Sequence, residues 1–179
     1  MISRRSRFTV SMIPLALCLT LILPACGGDK QEAKAEEAPK VEVLDKASNG
    51  SPVAVRFDKF VGEGEGRGID VVVYNHGDKQ AAGYILLFRY FDGAGNPLKA
   101  KAGTPFEKDS DFITMSGNHF YCEPGKNATI EVDGRSIGVP ADAAKVEVVV
   151  SQVKALAADG KTIEDWWSQE DWSTWPASP

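Results

Sequence analysis

The chain has 179 residues, 43% of them hydrophobic and 25% charged, with 20 Lys+Arg against 25 Asp+Glu and a net charge of −5. That length suits one compact domain with flanking segments, and the acidic balance argues against nucleic acid or an anionic lipid surface as a partner. Two His and three Cys leave little from which to build a catalytic centre, so no enzyme activity, cofactor or metal is expected.

The chain opens with Arg4, Arg5 and Arg7, then an uncharged apolar run from Phe8 to Leu23, then Leu23-Pro24-Ala25-Cys26 and the polar Gly27-Gly28-Asp29-Lys30. A bilayer-spanning helix takes about 20 apolar residues, and signal-type segments are shorter. The run falls between the two lengths, so the small residue, the cysteine and the abrupt polar switch decide for a secretory signal over residues 1–25. Leu23-Pro24-Ala25-Cys26 resembles a bacterial lipoprotein box. The resemblance implies cleavage before Cys26 and a diacylglycerol thioether on its sulfur, which attaches the chain to the lipid bilayer of the cell envelope. Glycine rather than aspartate at position 27 implies, by the same resemblance, the outer membrane. Ser3-Arg4-Arg5 is similar to a twin-arginine signal only in part, because the hydrophobic residue comes late, at Phe8; Sec export is expected.

Removing 25 of 179 residues leaves 154, and losing three Arg with no acid takes the net charge from −5 to −8. Cys18 leaves with the signal and Cys26 is the lipidation site, so Cys122 is the single thiol of the folded part. No internal disulfide can form, and the domain must rely on its hydrophobic core.

Residues 27–42 mix both charge signs and carry almost no large apolar side chains. Such a segment buries too little surface to offset its ordering entropy. Residues 26–50 are therefore expected to be the lipidated cysteine and a mobile tether, with Pro39 limiting any Ala/Glu/Lys helix.

From about Val53 the hydrophobic period becomes two. Val53, Val55 and Phe57 alternate with Ala54, Arg56 and Asp58, and Ile69, Val71 and Val73 alternate with Asp70, Val72 and Tyr74. This is the pattern of strands with one buried face. Tyr84 to Phe91 is apolar on nearly both faces, as suits a central strand. Asp92-Gly93-Ala94-Gly95-Asn96-Pro97 reads as a turn. Ala128-Ile130-Val132 forms a short strand after Glu123-Pro124-Gly125, Lys145 to Val153 a long β-branched one, and Asp159-Gly160 a hairpin turn. Short strands punctuated by turns, with no long amphipathic helix, predict an all-β antiparallel sandwich over residues 51–163.

Val73-Tyr74-Asn75-His76-Gly77-Asp78-Lys79, Phe88-Arg89-Tyr90-Phe91-Asp92 and Pro124-Gly125 together resemble the immunoglobulin-like domains of the FxLYD type. The resemblance covers about residues 53–133 and implies an immunoglobulin-like sandwich of the kind found on bacterial and archaeal surface proteins. The chain departs from that pattern with Tyr-Phe in place of Leu-Tyr, and with an insertion spanning Lys101 to Tyr121.

Several motifs invite chemistry and fall short of it. Gly62-Glu63-Gly64-Glu65-Gly66-Arg67-Gly68 lacks the sixth-position glycine of a dinucleotide fingerprint and any following Gly-Lys-Ser/Thr, so it is expected to be a hairpin connection. Glu63, Glu65 and Asp70 could offer oxygens to Ca²⁺, but at no recognised loop spacing. His119 and Cys122 are three apart, without the further ligands of a zinc site or the orienting group of a nucleophile; a buried, inert Cys122 is expected. The sequons at Asn49 and Asn127 are assigned no role.

The distinctive constellation is the segment 164–179, where Trp166, Trp167, Trp172 and Trp175 interleave with Glu164, Asp165, Glu170 and Asp171. Each buried Trp hides about 150–250 Å², and four in water would exceed the apolar patch of an ordinary soluble surface. Two readings follow. The tail folds back as a lid on the sandwich, with Trp172 and Trp175 on one face of a short helix ended by Pro176. Alternatively, it is a binding surface for an envelope protein or a cell-wall glycan. The function expected is a non-catalytic interaction or assembly role at the envelope, with glycan binding as the alternative.

Overall fold

A computed structural model describes residues 41–100 and 108–176. The signal segment, Cys26 and the spacer as far as residue 40 lie outside the described residues. Within them the protein is all-β and antiparallel, as the alternation predicts. Strands β1 (Val53–Val61), β2 (Gly68–Asn75) and β6 (Asn127–Val132) form one sheet in the order β1-β2-β6. The second sheet is built around β3 (Ala81–Phe91), with β7 (Lys145–Leu156) and then β8 (Ile163–Ser168) on one side. Strands β4 (Pro97–Leu98) and β5 (Ile113–Cys122) share its other side.

The period-two pattern sets which rows meet. Val53, Ile69, Val71, Val73, Ile130 and Val132 of the smaller sheet pack on Tyr84, Leu86, Phe88, Tyr90, Val146, Val150 and Val153 of the larger one. Burying one such side chain contributes roughly 1.5–3 kcal/mol. Ile137 and Val139 close one end of this core, where the Tyr90 hydroxyl donates to the Ile137 carbonyl at 2.8 Å. Asn75 is fully buried: its amide donates to the carbonyls of Lys79 (2.8 Å) and Cys122 (2.9 Å) and accepts from the Gly77 N–H at 2.9 Å. That single side chain holds the β2–β3 turn and the end of β5 together.

Two boundaries differ from the sequence reading. Residues 41–50 are docked on the sandwich instead of belonging to a tether. Arg56 pairs with Glu42 at 2.9 Å, and His76 Nε2 meets the Leu44 carbonyl at 2.8 Å. The Asn49 amide donates to the Val150 carbonyl at 2.8 Å. Composition missed this because the partners lie outside the segment, in β1, the β2–β3 turn and β7. The insertion is also shorter than expected. Leu98 pairs with Tyr90 and Ile113 with Phe88, so β4 and β5 are two pieces of one edge strand interrupted only by residues 99–112. Polar Thr114, Ser116 and Asn118 alternate there with Ile113 and Met115, a weak period-two signal.

Candidate functional site

The tryptophan-rich segment begins as part of the sheet. The Asp159-Gly160 turn forms as expected: the Asp159 carboxylate accepts from the N–H groups of Lys161 and Thr162, both at 2.8 Å, and from the Thr162 hydroxyl at 2.6 Å. These bonds, led by that of the Thr162 side chain, hold the Asp159 carboxyl below the usual range. The returning strand β8 pairs Ile163 with Leu156, Asp165 with Lys154 and Trp167 with Val153. Trp166 is thus the additional residue of a β-bulge, which re-aims a side chain. Both Trp166 and Trp167 pack against the core, an outcome that strict alternation would forbid. The sandwich therefore extends to Ser168, not to residue 163, and two of the four tryptophans are structural.

After β8 the chain turns across the outer face of the larger sheet. The Gln169 N–H donates to the Ser151 carbonyl at 3.0 Å, and the Gln169 amide spans the carbonyls of Asp171 (2.6 Å) and Thr174 (2.8 Å). Residues 170–173 form a turn, so the expected short helix is absent. The physical reason is local competition: the Asp171 carboxylate binds the Ser173 N–H and hydroxyl at 3.0 and 2.7 Å, offering the backbone a turn in place of a helical ladder.

Trp172 projects at the tip of this turn and is 49% exposed. Trp175 is half-buried, with the Arg89 guanidinium 4.1 Å from its ring centre and Phe112 at 6.2 Å. Arg89 alternates with the core residues Phe88 and Tyr90, so it stands on the outer face. Asp111 lies beside it. A hydrogen bond from Lys99, and then the charges of Lys99 and Arg89, hold the Asp111 carboxyl below its ordinary range. The result is a small aromatic and charged platform formed by Trp175, Phe112, Arg89 and Asp111, with Trp172 exposed on the turn three residues before Trp175. Sequence alone assigned neither Arg89 nor Phe112 to a site, because no local pattern links them to Trp175, which follows them by 86 and 63 residues.

The other candidates are not brought together. Gly62, Gly64 and Gly66 take left-handed φ of 83°, 78° and 68° in the β1–β2 connection, as a hairpin loop requires. Glu63 and Glu65 are exposed there, whereas Asp70 is buried in β2 with Lys59 at 3.4 Å. Among the described residues, no three His, Cys, Asp or Glu side chains gather to hold a metal ion. His119 is exposed and meets the Tyr121 hydroxyl at 3.0 Å. Cys122 is 2% exposed, and its thiol donates to the Lys126 carbonyl at 3.2 Å. Burial pushes that thiol up to about 11, so it stays protonated and unreactive at neutral pH. His76 serves the docked segment through Leu44 and edges onto the Tyr74 ring at 4.6 Å.

Compared with family models and with curated proteins, the chain matches none of them.

Proposed function

We propose that this chain is an envelope lipoprotein, anchored through acylated Cys26, whose sandwich has a non-catalytic interaction or assembly role. The observation that carries the reading is the order of residues 4–30: three arginines, an uncharged apolar run, Leu23-Pro24-Ala25-Cys26, then a polar spacer. Each buried CH₂ of an acyl chain contributes about 0.8 kcal/mol, so two or more chains anchor stably without help from protein charge. That suits a mature chain too acidic to seek anionic headgroups. Residues 27–40, if extended, would let the docked segment from Val41 stand up to about 50 Å from the lipid. The FxLYD resemblance fits the same setting. By the lipoprotein resemblance, glycine rather than aspartate at position 27 supports the outer membrane as the site of the anchor.

The test is Cys26→Ser. The parent chain is expected to incorporate labelled palmitate, partition with membranes and start at Cys26. The variant is expected to lose the label and leave the membrane fraction. Equal partitioning of the two without label in either overturns the anchor.

A second reading is favoured by the exposed Trp172, three residues before the half-buried Trp175: a cell-wall glycan module using the tryptophan segment on the outer face. Aromatic faces stack on sugar rings while Asp111 and Asp171 accept hydroxyl bonds. Since Trp166 and Trp167 pack on the core, Trp172 and Trp175 alone carry this reading. Peptidoglycan retention should fall on Trp172→Ala with Trp175→Ala, and unchanged retention excludes it.

A further inference from the structure

Strand β5 is the long edge of the larger sheet. It pairs with β3 on one side, and among the described residues no strand pairs with the other. An edge presents unpaired N–H and C=O groups, and proteins blunt such edges with charge, proline, bulges or shortness. The remaining edges here carry those devices. Strand β1 has Arg56, Asp58 and Lys59 and a bulge between Phe57 and Lys59. Strand β8 is six residues long, with Glu164, Asp165 and the Trp166 bulge. Strand β6 is also six residues and carries Glu131, and β4 is two residues with Pro97. Strand β5 runs ten residues, Ile-Thr-Met-Ser-Gly-Asn-His-Phe-Tyr-Cys, without a charge or a proline. From Ile113 to Asn118 its register with β3 is unbroken.

We propose that Ile113–Asn118 is a self-association edge, on which the same segment of a second copy pairs antiparallel to give one continuous sheet. Three features select a second copy. A two-fold edge pairing sets a strand against itself, so every side chain must tolerate its own kind. Like charges directly opposite are destabilising, and among the described residues β5 is the long edge where a copy meets no charge of its own. It also offers no charge by which to select a charged foreign strand. The rows match as well: exposed Thr114, Ser116 and Asn118 would face hydroxyl and amide groups, while half-buried Ile113 and Met115 would continue the apolar row across the junction. The pairing has a defined end. His119 takes φ 68°, and residues 119–121 oppose the single Ala82, which throws the chain off the sheet line. Six residues per copy make about 20 Å of junction. The proposal does not depend on the anchor, although anchoring would concentrate the copies.

The experiment uses the full-length chain in mild detergent. Thr114→Cys, Ser116→Cys and Asn118→Cys are mildly oxidised beside the parent chain, singly and in mixed pairs. Antiparallel pairing gives chain–chain disulfides only for position pairs whose numbers share one constant sum, above the parent background. Sedimentation should show self-association that strengthens with salt, because the copies share a net charge of −5. Ser116→Lys should weaken it by about tenfold or more with the fold retained, and Ser116→Thr should preserve it. A single-chain mass at high concentration and high salt overturns the proposal. So do cross-links lacking the antiparallel sum, association unchanged by Ser116→Lys, or cross-links formed only to a different protein.

Discussion

The Trp166 indole occupies the space that a side chain on Gly77 would need: a Cβ built on Gly77 falls 2.4 Å from both Cζ2 and Cη2 of Trp166. The contact joins the β2–β3 turn to the bulge of β8, two segments almost ninety residues apart. It explains why a glycine follows Asn75-His76 and why the bulge is placed at Trp166. The indole lies against the turn that the Asn75 side chain organises.

Gly77→Ala should therefore destabilise the fold by about 1–3 kcal/mol through overpacking. Trp166→Ala should cost about 2–4 kcal/mol through lost burial. Because the first change hurts only while the indole is present, the double variant should cost clearly less than the two together. Urea denaturation of the four proteins measures this. Simple additivity would show that Gly77 and Trp166 act independently.

Trp172 and Trp175 should separate in stability although they lie three residues apart. Trp172→Ala is expected to change stability by no more than about 0.5 kcal/mol, as exposed substitutions do. Trp175→Ala removes the Arg89 stacking and the Phe112 contact and should cost about 1–2 kcal/mol. A solution quencher should reach Trp172 readily and Trp166 and Trp167 poorly, which single-Trp variants would read by fluorescence.

Alkaline pH should destabilise the protein in a defined order. The Cys122 thiol rises from 9.0 to about 11 on burial in the folded state, so the unfolded chain loses its proton first. Stability is then unaffected below about pH 9 and falls as pH rises from 9 towards 11. Tyr84 and Tyr90 are raised by burial too, and extend the loss from pH 10 upward. Cys122→Ala should delay the onset of this decline from pH 9 to pH 10. An unshifted onset would assign the whole effect to the tyrosines.

Acid should act through the turns. Hydrogen bonds hold Asp159, Asp92 and Asp171 below the ordinary 3.8. A depressed carboxyl stabilises the fold above the unfolded value, and that contribution is lost as pH falls through the lower folded value. Thermal unfolding temperature should hold down to about pH 4 and decline below it. Asp159→Asn, which keeps an oxygen acceptor for the turn, should flatten part of this decline; an identical pH profile would exclude Asp159 as a contributor.

Much of the fold was legible because its signals are local. The alternation through Val53 and Ile69, the β-branched run from Lys145 to Val153, the doubly apolar run at Leu86-Leu87-Phe88 and the Asp159-Gly160 turn each lie within a few residues. Strand β5 was obscured because Gly117, Asn118 and His119 weaken its pattern and Phe120 folds back: its ring lies 2.3 Å from where a Cβ on Gly117 would sit. The docking of segment 41–50 was not legible because its partners Arg56 in β1, His76 in the β2–β3 turn and Val150 in β7 are brought together only by the fold.

For the tryptophan segment the division is sharpest. Composition alone established that four large aromatic rings must be covered or used, since water penalises so much apolar surface wherever the chain runs. Which rings are covered was settled by pairing: a bulge opposite Val153 and Lys154 turns Trp166 and Trp167 inward, and an Asp171 turn leaves Trp172 outward. Hydrophobicity is a property of each residue and can be read one at a time. Side-chain direction depends on register between strands, which exists only once distant segments have met.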